Sequence, residues 1–165
     1  MKIRTIEILS ALDMLCLVIL IMLQTAMALK MARKNQLLEQ KAYIDIHTGL
    51  PNKGSCEELL NNREILREPT ACVIFDLNNL KYVNDTYGHE KGDEFIQTFT
   101  YCLTRILDSD SFLARYGGDE FILIQQNTSL SELQHMAEKL DSLVQEYNTR
   151  TTLPLSYAIG YEVSF

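Results

Sequence analysis

Three acidic residues stand where a plain fold has little use for them. Asp119 and Glu120 follow Gly117 and Gly118 in the run Arg115–Ile124, "RYGGDEFILI", at the mouth of an apolar strand. Asp76 sits near the end of a second apolar run, "TACVIFDL", at 70–77. Taken singly, a strand-terminal Asp reads as a turn residue or a helix cap. Taken together, a central strand and a neighbouring hairpin can bring carboxylates to one point. Oxygen-rich pairs of that kind hold Mg²⁺, which binds through one or two carboxylates plus substrate phosphates. Two such metals activate an attacking hydroxyl and stabilise a leaving pyrophosphate.

The elements that must position these acids follow from pattern. "TACVIFDL" is β-branched and apolar, which predicts a buried central strand. "FLARYGGDEFILIQ" predicts two strands joined across Gly117-Gly118. "HTGLPNKG" (47–54) reads as a loop, and a helix follows through "SCEELLNNREIL" (55–66), with Ser55 as N-cap and Glu58 completing a capping box. "NLKYVNDTYG" is a short helix stopped at Gly88. "EKGDEFIQTFTYCLTRIL" is a longer helix with Phe95, Phe99, Cys102, Leu103 and Ile106 on one face. An amphipathic helix begins at Ser129 or Ser131, and "LPLSYAIGYEVSF" is a final strand. The order α-β-α-α-β-β-α-β predicts an α+β fold, an antiparallel sheet flanked by helices.

The 165-residue chain carries a net charge of −7, unevenly spread. Residues 1–44 hold six basic and three acidic side chains, so the remainder is strongly acidic. That balance argues against duplex nucleic acid as a partner. Residues 11–29, "ALDMLCLVILIMLQTAMAL", are interrupted only by Asp13, Gln24 and Thr25, long enough for a single-pass helix. A cleaved signal peptide is the rival, with Lys2 and Arg4 as its basic start and "AMA" at 26–28 as its cleavage site. Lys30, Arg33 and Lys34 on the C-terminal flank favour an anchor whose following domain stays in the cytoplasm. The predicted organisation is an anchor at 1–29, a helical linker at 30–44 and a domain at 45–165. Met31, Asn35, Leu38 and Ala42 follow a 4-3-4 spacing that fits a short dimer seam, although a solvated connecting helix fits equally. Cys16, Cys56, Cys72 and Cys102 show no C-x-x-C spacing and read as reduced, buried thiols.

Several motifs together resemble one family. "RYGGDEF" is similar to the signature of GGDEF-domain diguanylate cyclases, which condense two GTP into cyclic di-GMP. "DIHTGLPNK" (45–53), "DLNNLKYVNDTYGHEKGDEF" (76–95) and "LSYAIG" (155–160) are similar to further family motifs in the same order. The resemblance implies a nucleotidyl cyclase and polymerase palm-like fold, and Mg²⁺ or Mn²⁺ as cofactor. It implies Asp76, Asp119, Glu120 and the Leu77 carbonyl as metal ligands, with Asp119 and Glu120 catalytic and Glu120 able to deprotonate the ribose 3′-hydroxyl. Asn84 and Asp93 would read guanine, Lys81 would contact phosphate, and Leu50 and His89 would complete the substrate site. Gly117 and Gly118 would let backbone approach the triphosphate closely. The implied active site forms between two facing domains, so a homodimer is expected, and the N-terminal anchor would place it at the inner, cytoplasmic membrane.

The chain departs from the family pattern in places. His47 stands where leucine is usual, Asn78 and Leu80 replace Asp and Phe, and His47 and His135 read as surface residues. The product-inhibition motif R-x-x-D would fall on Asp108 and Ser111, so that site is expected to be absent; Arg105 and Asp108 form the motif one helical turn out of register. No helix with the family's phosphate-clasping Lys and Arg follows the last strand. On that reading the domain is a truncated cyclase, or a GTP-binding or dimerisation module with little turnover.

Overall fold

The computed structural model describes residues 2–62 and 66–164. They form two units, Met1–Gln40 and Lys41–Phe165. Helix α1 runs Lys2–Tyr43. Its stretch Met14–Asn35 has a mean hydropathy of 2.1, long and apolar enough to cross a membrane by length and composition. The apolar side chains from Met14 to Leu23 are exposed, as are Met31, Asn35 and Leu38 of the 4-3-4 series.

In the second unit the elements are α2 (Lys53–Asn61), β1 (Thr70–Leu77), α3 (Leu80–Tyr87), α4 (His89–Thr104), β2 (Ser111–Arg115), β3 (Glu120–Gln126), α5 (Leu130–Asn148) and β4 (Tyr157–Ser164). The sheet order is β2-β3-β1-β4, antiparallel throughout. The predicted α+β class and element order are those observed.

One sheet face carries the core. Phe75 of β1, Phe99 of α4 and Phe121 of β3 are each at most 1% exposed, and Phe99 meets Phe121 edge-on at 5.4 Å between ring centroids. Val83, Leu103, Leu140 and Val144 bring α3, α4 and α5 onto the same cluster. Helix α2 lies over the other face, where Cys56 packs with Ala114, Ile122 and Ile124. Ser129 caps α5 in a full capping box with Glu132, which removes two of the orphan donors at a helix start.

Three expectations need correction. The cap of α2 is Asn52, whose Oδ1 accepts from the Ser55 N–H at 3.2 Å, while the Ser55 hydroxyl donates to the Tyr43 carbonyl. The helix therefore starts three residues earlier than predicted and ends at Asn61, and part of the predicted remainder, 63–65, lies outside the described residues. Strand β1 is not buried on both faces: Ile74 is 50% exposed. Helix α2 covers the far face over β2 and β3, and its cover stops short of Ile74. The thiols are free, but Cys16 is exposed on α1 and only Cys56 and Cys102 are fully buried. Burial, with Cys72 and Glu57 nearby, pushes the Cys56 thiol up to about 11, so it stays protonated and inert.

Candidate active site

Asp76 and Glu120 lie directly opposite one another in the β1–β3 ladder. Opposed residues in an antiparallel pair point to the same face with Cα atoms about 4.5–5.5 Å apart. Both residues are exposed at the strand ends, and among the described residues neither has a basic partner. Like charges placed so destabilise a sheet, and a divalent cation relieves that repulsion. Asp119 is held at the same end, its carbonyl accepting the Leu77 N–H at 2.9 Å.

Among the described residues no three His, Cys, Asp or Glu side chains converge into a ready metal cluster. The donor set still fits Mg²⁺, which needs only one or two carboxylates when phosphate and water supply the other oxygens.

The hairpin holding Asp119 is a four-residue loop, Tyr116–Asp119, in which the Tyr116 and Gly117 N–H groups donate to the Glu120 carbonyl at 2.8 and 3.1 Å. Neither glycine adopts a positive φ, so the loop is not a primed turn. Their uses differ. A Cβ on Gly117 would stand 2.6 Å from Glu120 Oε2, whereas one on Gly118 would meet nothing within 4 Å. Gly117 makes room for the Glu120 carboxylate, and Gly118 leaves its surface open.

A second cluster lies at the α3–α4 corner. Gly88, at φ +87°, ends α3 and caps α4. This turn stacks Asn84 on Gly92, where a Cβ would overlap the Asn84 amide. Asp93 is the next residue of α4. Leu50 is half-buried against the main core. Its loop is closed by hydrogen bonds from Asp45 N to the Leu50 carbonyl and from Gly49 N to the Asp45 carbonyl, each 2.8 Å, with Gly49 at φ +72°. His47 of that loop reaches Asp93, Nδ1 to Oδ1 3.7 Å. Lys81 is exposed on the first turn of α3, and among the described residues no carboxylate lies within ion-pair distance of it. His89 is exposed at the start of α4.

Two residues that sequence reasoning passed over join these clusters. Arg115, with only 10% of its side chain exposed, donates to Asp45 Oδ1 at 3.1 Å and to the Gly118 carbonyl at 2.7 Å. Asp45 also accepts from the Thr48 N–H and hydroxyl. Burial raises the Asp45 carboxyl, but the Thr48 and Arg115 hydrogen bonds outweigh it and hold the group below its ordinary value. An Arg before two glycines and an Asp before a loop are visible in the sequence; their pairing across 70 positions is not. Away from this region Arg105 turns to the Tyr101 hydroxyl at 2.9 Å, while Asp108 accepts from Ser111 and Gln125. The out-of-register R-x-x-D pair therefore makes no ion pair.

The profile of the "Diguanylate cyclase, GGDEF domain" family matches residues 42–163. The chain belongs to the GGDEF family. Cyclic di-GMP phosphodiesterase PdeR of Escherichia coli is 36% identical over 110 residues, 66% of this chain and 17% of PdeR. A diguanylate cyclase of Vibrio cholerae is 32% identical over 104 residues, 55% of this chain and 32% of that protein. The chain thus spans a third or less of the length of these curated relatives. Among solved structures, the coiled coil and GGDEF domain of DgcB from Caulobacter crescentus in complex with c-di-GMP superposes with a TM-score of 0.68. It is 26% identical, over 84% of this chain and 78% of that one.

Proposed function

We propose that this protein is a membrane-anchored diguanylate cyclase that joins two GTP into cyclic di-GMP with release of pyrophosphate. The observation that carries the reading is the opposed pair Asp76 and Glu120, two exposed carboxylates at one end of the β1–β3 ladder with no basic partner among the described residues. Asp76, Asp119 and Glu120, with the Leu77 carbonyl, would hold Mg²⁺ or Mn²⁺. The metal would offset phosphate charge and lower the barrier to attack of a 3′-hydroxyl on an α-phosphate. Glu120, free of any ion-pair partner among the described residues, would accept the hydroxyl proton. Asn84 and Asp93 would read the guanine edge beside Leu50, Lys81 would neutralise phosphate, and His89 would stand at the rim.

Each domain would hold one GTP, so turnover would need two chains face to face, with the exposed seam Met31, Asn35 and Leu38 of α1 bringing them together. The exposed apolar stretch from Met14 supports a single-pass anchor, and Lys30, Arg33 and Lys34 support a cytoplasmic domain. The test is incubation of the full chain in detergent micelles with Mg·GTP. Metal-dependent appearance of cyclic di-GMP and pyrophosphate supports the cyclase. Binding of Mg·GTP without product supports a GTP-binding module, and absence of binding defeats both.

A further inference from the structure

His47 occupies a position from which it meets a side chain assigned to guanine, and nothing in the proposed chemistry uses it. Its ring lies 3.7 Å from Asp93 Oδ1, ion-pair distance but slightly beyond a hydrogen bond, with both side chains about half exposed. The loop is fastened to the same helix by a second contact, since Gln97 Nε2 donates to the His47 carbonyl at 3.4 Å. The other charged groups on its loop and on the first turns of α4 make no ion pair with it among the described residues. Asp45, on its own loop, is taken by Arg115 and Thr48. On α4, Lys91 pairs with Glu94, and Glu90 is exposed. Asp93 is thus the carboxylate that the fold presents to the imidazole.

We propose that His47 is a positioning residue that controls nucleotide recognition through Asp93, loosening it as the imidazole gains a proton. The inference rests on the reading of Asp93 as a guanine-binding carboxylate. Guanine offers two adjacent donors on its Watson–Crick edge, which a carboxylate satisfies fully only with both oxygens. A neutral His47 leaves both oxygens to the base. An imidazolium draws on Oδ1 and competes with one guanine donor. Histidine changes charge between pH 5 and 8, so the competition strengthens as pH falls across that range.

The experiment is titration of the full-length chain in detergent micelles with Mg·GTP at pH 6.0 and 8.0, for wild type, His47→Leu and Asp93→Asn. Because phosphate also titrates here, the readout is the wild-type affinity relative to His47→Leu at each pH. At pH 8.0 the two should bind alike, and at pH 6.0 wild type should bind about two- to fivefold more weakly, the range an exposed ion pair allows. Equal affinities at both pH values, with Asp93→Asn weakened, would overturn the role of His47 alone. Wild-type affinity in Asp93→Asn would overturn the guanine reading beneath it. A His47→Leu chain that is weaker than wild type at pH 8.0 would also sink the proposal, since it would make the imidazole a direct ligand.

Discussion

Arg115 and Asp45, 70 positions apart, meet at 3.1 Å and tie the first loop of the domain to the hairpin that carries Asp119. The same guanidinium holds the Gly118 carbonyl, and the Arg115 N–H donates to Pro51 at 2.9 Å. One side chain thus sets both the hairpin and the loop that presents Leu50 and His47.

Removing either partner strands the other in a largely buried place. Asp45→Asn or Arg115→Met is expected to cost roughly 1–3 kcal/mol at neutral pH. The pH dependence has a definite sign. Asp45 is held below its ordinary value, so its contribution is present above about pH 3.9 and is lost as pH falls through the folded-state value. Denaturant melts at pH 7 and pH 3 should show a smaller acid-induced loss for Asp45→Asn than for wild type. Parallel losses in the two proteins would remove the ion pair from the account.

The opposed acids make stability and binding move in opposite directions. Asp76→Asn removes a like-charge contact with Glu120 and is expected to stabilise the ligand-free domain by a few tenths of a kcal/mol. It should also abolish the Mg²⁺-dependent part of GTP binding. Calorimetry with and without Mg²⁺ checks the second effect and thermal melts the first. A variant that is less stable but still binds Mg·GTP as wild type does would contradict both.

Gly92 is explained by its neighbour. Alanine favours a helix interior over glycine by about 1 kcal/mol, yet a Cβ at 92 would displace the Asn84 amide. Gly92→Ala should therefore keep or raise the melting temperature while losing preference for GTP over ATP. The selectivity lost should correspond to about 1–3 kcal/mol, one hydrogen-bonding partner in a polar site. Unchanged selectivity in a folded variant would separate Asn84 from base recognition.

Legibility in the sequence followed the range of the interaction. Thr70–Leu77 was legible as a strand because β-branched residues after Pro69 declare it locally, and the start of α5 was legible to within two residues, Ser129 or Ser131, which the capping box settles at Ser129. The α2 cap was misplaced because Asn52, inside an apparent loop, captures the Ser55 N–H before Ser55 can act as a cap. The exposure of Ile74 could not be read from an apolar run, since it depends on how far α2 extends over the sheet. Asp76, Asp119 and Glu120 announced themselves by charge at strand ends. Arg115–Asp45 and His47–Asp93 are contacts between segments far apart in the chain, for which one sequence carries no local signal.

The two glycines of the hairpin offer a test that separates fold from ligand. Both are often read as one unit, but the space around them differs. At Gly117 an added methyl would press on the Glu120 carboxylate at 2.6 Å and its Cβ at 3.3 Å. Gly117→Ala should therefore shift Glu120, impairing turnover even where GTP still binds. At Gly118 an added methyl meets nothing within 4 Å, and the backbone there is not left-handed. Gly118→Ala should leave the folding stability within about 0.5 kcal/mol of wild type, as for other surface changes. If the triphosphate approaches this backbone, the same harmless methyl would stand in its path, and Mg·GTP affinity should fall severalfold without loss of stability. Thermal melts and nucleotide titrations on the two variants check both statements. Wild-type affinity in Gly118→Ala would show that the phosphates do not approach the chain at Gly118.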